Sequence, residues 1–240
     1  MKKLTKKVNI NLLSNLIIVF LVVTVFAVSF LPQKSAPIYG GSRVNAIYNG
    51  NRENPNVSLM FNVYENTDVV NGIIDLLELK KVKATFFVGG CWADDNEETL
   101  KRILKLGHEL GNHGYFHKDH KTLSYDKNVE EIKNTNTIVK ALCGADLTLF
   151  APPSGSFSSV TLDACNDLGY ATIMWSKDTI DWRDKDRELI IKRATKNAEN
   201  GDLILMHPKK HTLNALTDII DFYLSKGFNL VTVSENIKGL

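Results

Sequence analysis

His113 and His117 stand four residues apart in the stretch Gly111-Asn112-His113-Gly114-Tyr115-Phe116-His117. That spacing lets two imidazoles grip one metal ion. A metal so held polarises a carbonyl and acidifies bound water, the chemistry of assisted hydrolysis. The stretch lacks the glutamate of the zincin pattern, and paired histidines also occur on solvated turns. Taken alone, the pair leaves both readings open, and other groups must complete a site. The chemical candidates elsewhere are Asn62, the Pro152-Pro153-Ser154-Gly155 turn, Trp175, Asp178, Asp181-Trp182 and His207-Pro208.

Each candidate lies at or just past the end of a run expected to form a strand, and those runs define the elements that must position them. Runs rich in β-branched and aromatic residues alternate with stretches of helical period, the pattern of βα units around a parallel sheet. Strands are expected over 57–63, 84–88, 108–112, 147–151, 171–175, 203–206 and 228–233. Helices are expected over 68–79, 96–106, 126–142, 158–168, 187–200 and 213–226, several stopped by glycines such as Gly107, Gly144 and Gly227. Seven such units make an open or incomplete (β/α)7 barrel, in which loops at the C-terminal strand ends build the site. The candidate residues fall on those ends.

The 240 residues carry 44% apolar and 23% charged side chains, enough for a single domain with its own core. A formal charge of +2, with lysines at 2, 3, 6 and 7, gives no nucleic-acid footprint. A neutral or carbohydrate-like partner fits better. Residues 12–31 are apolar apart from Ser14, Asn15, Thr24 and Ser29, and no Ala-x-Ala site ends the run. We expect a cytoplasmic basic segment over 1–11, a transmembrane anchor or signal segment over 12–31, a linker and lead-in over 32–56, and a domain over 57–240. The domain is then extracytoplasmic, tethered to the membrane or, alternatively, secreted after cleavage. Cys91, Cys143 and Cys165 match no zinc or redox spacing and read as free thiols.

Several ordered stretches together make the chain resemble the polysaccharide deacetylase family (carbohydrate esterase family 4, the NodB-like domain), in its sporulation-associated, membrane-anchored branch. They are Lys83-Ala84-Thr85-Phe86-Phe87, Gly107 to His113 with His117, Phe150 to Gly155, Trp175 with Asp178 to Trp182, and Leu205-Met206-His207-Pro208. The resemblance runs from about residue 55 to the C-terminus. It implies removal of acetyl groups from N-acetylated cell-wall sugars, peptidoglycan among them, with a divalent metal, zinc by preference, on His113 and His117. It implies His207 as the acid that protonates the departing amine and Asp181 as the carboxylate that holds its ring. Trp175, Trp182, Pro153, Ser154 and Gly155 would shape the sugar groove.

The first family motif departs from the pattern. Where the family has two adjacent aspartates, a base and a metal ligand, this chain has Asn62 and Val63. Asn62 cannot accept a proton near neutral pH, and Val63 has no donor atom. The arginine that pairs with the base is Ala151 here, a concerted loss, since a buried guanidinium without its carboxylate is costly. Asp68, Glu65 and His120 are the candidate substitutes as metal ligand or base; their plain readings are a helix-start acid, a loop charge and an exposed polar residue. The leading functional expectation is a hydrolase of carbon–nitrogen, non-peptide bonds. The alternatives are a non-catalytic wall-glycan binder on the same fold and an O-acetyl esterase, whose alcohol leaves more easily. His108 and His211 read as structural, Asp178 as a turn cap, and Trp92 as a strand-exit residue that could stack on a sugar.

Overall fold

The computed structural model describes residues 15, 17–23 and 45–240, and the chain divides into two units, Met1–Pro37 and Ile38–Leu240. In the first unit the described residues are helical. Among the described residues no helix is long and apolar enough to cross a membrane; the segment expected over 12–31 lies largely outside them.

The second unit is one parallel sheet with helices packed on it. Its strands are β1 (Asn56–Val63), β2 (Thr85–Val88), β3 (Glu109–Asn112), β4 (Leu149–Phe150), β5 (Ala171–Thr172), β6 (Lys177–Asp178), β7 (Leu203–Met206) and β8 (Asn229–Leu230). The order is β5-β4-β3-β2-β1-β7-β6, with β8 also on β1. Since β5 and β6 end the order without pairing to each other, the curled sheet is an incomplete barrel, as expected. The helices are α1 (Thr67–Lys80), α2 (Gly90–Asp94), α3 (Glu97–Lys105), α4 (Tyr125–Cys143), α5 (Ser159–Asp167), α6 (Arg187–Thr195), α7 (Lys210–Ser225) and α8 (Val233–Asn236).

Strand β1 shows how sequence period becomes packing. Alternate side chains leave a strand on opposite faces, and Val57, Leu59, Phe61 and Val63 join the core between sheet and helices, with Ile73, Leu77, Leu216 and Ile220. Met60, on the other face, packs inside the curl with Phe87, Leu149, Ala151, Leu203 and Val233. By the same alternation Asn62 belongs to the inner face and Val63 to the outer one. Truncating a ring such as Phe61, which is fully buried, to alanine costs about 3–5 kcal/mol.

The expected elements are present with several differences. Strand β6 is new: it is two polar, half-buried residues recognisable only by parallel pairing to β7. Strand β5 stops at Thr172, and Ile173 instead bridges Ile47. Residues 47–51, expected as lead-in, pack on the domain, where Gly50 N–H donates to Gly201 and Asn51 N–H to Asn236, at 2.7 and 2.8 Å. The chain over 228–233 pairs for two residues and then turns into α8, capped by Thr232.

Candidate functional site

The C-terminal strand ends converge on one cleft of two adjoining hollows, about 400 and 320 Å3, which share Asn62, His113, His117 and His207. Tyr64, Glu65, Phe116, Pro208 and Lys209 complete the first hollow. Ser154, Trp175, Asp178, Trp182 and Leu205 complete the second. A larger hollow of about 570 Å3 between α1 and α3 has charged and polar walls but no histidine.

His113 follows β3 directly and is 2% exposed. Its Nδ1 lies 2.7 Å from the Ala151 carbonyl oxygen, which only accepts, so Nδ1 carries the proton and Nε2 keeps its lone pair. Burial, reinforced by the neighbouring His117, pushes the His113 pKa down to about 3. The ring is a neutral donor of the kind that ligates metals. His117 lies beside it, ring centroids 5.1 Å apart, and stacks edge-on with Tyr64. The turn between them is built by two residues that sequence reading missed. Asn112 accepts from Gly114 N–H at 2.9 Å. Glu131 of α4, 3% exposed, accepts from the N–H groups of Tyr115 and Phe116 at 2.9 and 2.7 Å. A glutamate in a helix gives no sequence signal that it will reach a distant loop.

On the other side, Asp181 grips His207 twice. Its Oδ1 accepts from the ring Nδ1 and its Oδ2 from the backbone N–H, both at 2.7 Å. Thr212 Oγ1 donates to Oδ2 at 2.6 Å, and His211 Nε2 donates to the Asp181 carbonyl at 2.7 Å. Burial alone would raise the Asp181 pKa, but the bonds from His207 and Thr212 outweigh it and hold the carboxyl below its usual value. Ile180, which precedes it, has φ of 54°, a strained conformation for a β-branched residue. Asp178 pins that turn by accepting from Ile180 N–H at 2.8 Å. Trp182 is 56% exposed at the cleft rim, while Trp175 packs so tightly on Gly155 that a Cβ there would lie 2.6 Å from its ring.

The cleft floor carries Asn62, whose Oδ1 is buried without a partner. Ala151 is fully buried in the inner core, and Val63 packs in the helix-side core and does not line the cleft. The candidate substitutes are not brought to the histidine pair as ligands. Glu65 lines the first hollow but ion-pairs with Lys209. Asp68 is exposed in the first turn of α1, outside the cleft lining. His120, expected to be exposed or a third ligand, is fully buried; its Nδ1 donates to Asn128 Oδ1 at 2.8 Å, and its Nε2 faces Gly114. Trp92 is also buried, donating to Thr67 Oγ1 at 3.1 Å, and cannot stack on a sugar. Among the described residues no group of three histidine, cysteine, aspartate or glutamate side chains is arranged to hold a metal ion. The residues present supply the two-histidine half of a metal site and not its carboxylate.

Such a half-barrel, with a histidine pair and a histidine–aspartate dyad facing one cleft, defines a carbohydrate-deacetylase class of α/β protein. The chain belongs to the polysaccharide deacetylase family, whose model matches residues 49–173. It is 36% identical over 189 residues to the uncharacterized protein YlxY of Bacillus subtilis, covering 79% of this chain and 59% of that one. It is 33% identical to a peptidoglycan-N-acetylglucosamine deacetylase of Bacillus cereus, over 69% of this chain and 80% of that one. Among solved structures, BA3943 of Bacillus anthracis, described as a family 4 pseudoenzyme, superposes with TM-score 0.78 and 33% identity, over 81% of this chain and 69% of that one. A mutant of BA3943 with restored enzymatic activity superposes equally well, at 31% identity.

Proposed function

We propose that this chain is a wall-glycan-binding member of the peptidoglycan deacetylase family whose hydrolytic centre is incomplete. The observation that carries this reading is that the cleft floor holds Asn62, an amide whose buried Oδ1 has no partner, while the nearby Glu65 is paired to Lys209. Asn62 itself cannot take a proton from water, and the cleft's carboxylates are engaged elsewhere, Glu65 by Lys209 and Asp178 by the Ile180 N–H. Losing a general base alone costs roughly a hundredfold to ten-thousandfold in rate. The likeness to BA3943, described as a pseudoenzyme, supports the same reading. Peptidoglycan is the ligand class, supported by the B. cereus relative's name and by the exposed Trp182 beside the groove, a surface on which a sugar ring can stack. In this reading His113 and His117 are the remnant of a zinc anchor. The segment 12–31 tethers the domain outside the membrane, supported by its apolar run behind four lysines. The sporulation setting is part of the proposal and rests on the sequence resemblance.

A second reading, residual deacetylation, is favoured by one observation: the Asp181–His207 pair is intact at 2.7 Å. In that case the His207 ring, fixed by Asp181, would protonate the departing amine, with attack on the carbonyl slow for want of a base. An O-acetyl esterase needs that proton less, because an alkoxide leaves more readily than an amide anion.

Co-sedimentation of the full chain with peptidoglycan, with acetate measured in the same tube, separates these readings. Binding without acetate is expected. Acetate release that disappears in His207→Ala would establish the second reading, and no binding would overturn the first.

A further inference from the structure

Asn62 is 5% exposed, lines both hollows, and its amide makes no hydrogen bond to any described residue. A buried polar group without a partner costs about 1–3 kcal/mol, and such groups in a cleft point to a ligand that completes them. The amide is uncommitted, so a half-turn of its terminal group presents either its oxygen or its nitrogen to the cleft. Around it stand His113, whose Nδ1 donates to the Ala151 carbonyl, and His207, fixed through Nδ1 by Asp181. Whichever atom faces the cleft can bond an acetamido group, because that group offers both a carbonyl acceptor and an N–H donor.

The charge of the cleft selects in the same direction. An N-acetylated sugar presents a neutral amide, whereas its deacetylated counterpart presents an ammonium. An ammonium drawn to Asn62 meets an amide and imidazoles where a carboxylate would have paired it, so its lost hydration is poorly compensated there. The carboxylates that line the cleft belong to different hollows: Glu65, in the first, is paired to Lys209, and Asp178, in the second, accepts from Ile180 N–H. Asp181 is turned to His207 and Thr212.

Resting on the glycan-binding reading above, we propose that Asn62 makes the cleft a reader of intact N-acetyl groups: its amide pairs with the acetamido group of the bound sugar, and the site discriminates against the free amine. The substitution that removes the base thereby creates the recognition element.

The test is calorimetric titration of the full chain with the pentamer of N-acetylglucosamine and, separately, the pentamer of glucosamine, each with and without a chelator. The acetylated pentamer should bind at least about tenfold more tightly, the worth of one to two net hydrogen bonds. Asn62→Ala should remove most of that preference. The isosteric Asn62→Asp, which keeps the side chain's volume if the alanine variant fails to fold, should shift it toward the amine. Equal binding of the two pentamers would overturn the inference while leaving glycan binding standing. A preference that survives both substitutions, or that a chelator abolishes with Asn62 in place, would assign the recognition elsewhere and equally overturn it. Binding of neither pentamer would instead overturn the glycan-binding reading itself.

Discussion

The Nδ1 nitrogen of His113 donates to the carbonyl oxygen of Ala151 at 2.7 Å. Ala151, where the resemblance expects an arginine, therefore orients the first histidine through its main chain, independently of its side chain. The carboxylates and guanidinium that the resemblance expects at 62, 63 and 151 are not in the sequence, whereas the backbone bond to His113 is present. This explains why one half of the site is well formed beside a floor without a base.

The Asp181 carboxyl is held below its ordinary value, so its stabilising contribution is complete above the unfolded-state value and is lost as pH falls through the folded one. Asp181→Asn should cost about 3 kcal/mol at neutral pH and make the melting temperature less steep below roughly pH 4. Thermal melts of both proteins across acid pH check this; parallel curves would contradict it.

His108 and His113 shift the other way from a histidine with an acidic partner. Burial pushes His108 down to about 4 and His113 to about 3. The unfolded chain then binds more protons below roughly pH 6.5, so stability should rise with pH between the folded values and that point. His108→Asn, away from the cleft, should flatten this window. Denaturant midpoints measured from pH 4 to 7 give the slope.

Glu131 ties the turn that carries His117 to α4. Glu131→Ala leaves the Tyr115 and Phe116 N–H groups without their acceptor and should cost about 2–4 kcal/mol. Hydrogen exchange at those two amides should quicken more than in the sheet. Unchanged protection would show that the turn holds itself.

Val63 lies in the helix-side core, so Val63→Asp places a charge among apolar groups and should lower stability by roughly 3 kcal/mol or more. Zinc should recover part of that loss if the carboxylate turns to the histidine pair, since a ligand bound only by the folded state stabilises it. Melting with and without zinc checks both signs; a variant that zinc does not stabilise would remove position 63 from the metal site.

Much of this was legible in the sequence because strand period, loop position and residue type coincide. The runs before Asn62 and His207 are apolar and end in chemical groups, the mixed run before His113 ends in the histidine pair, and in the fold those ends share one cleft. Strand β6 was not legible: Lys177 and Asp178 show no apolar alternation, and pairing alone makes them a strand. Helix α2 is a five-residue turn that begins at Gly90 and leaves no periodic signal. His120 looked polar and exposed, yet Asn128 satisfies its Nδ1 and Phe150 packs on its ring. Nothing in local sequence marks Glu65 as the partner of Lys209, because that contact joins loops far apart in the chain. The fates of these side chains decide whether the cleft has a base.

Acetate release from N-acetylglucosamine pentamer, measured with zinc present, tests the central claim most directly. The native chain should release none above background, and Asn62→Asp, Val63→Asp and Ala151→Arg combined should release it in a His207-dependent manner. Release by the native chain that His207→Ala abolishes would contradict the account.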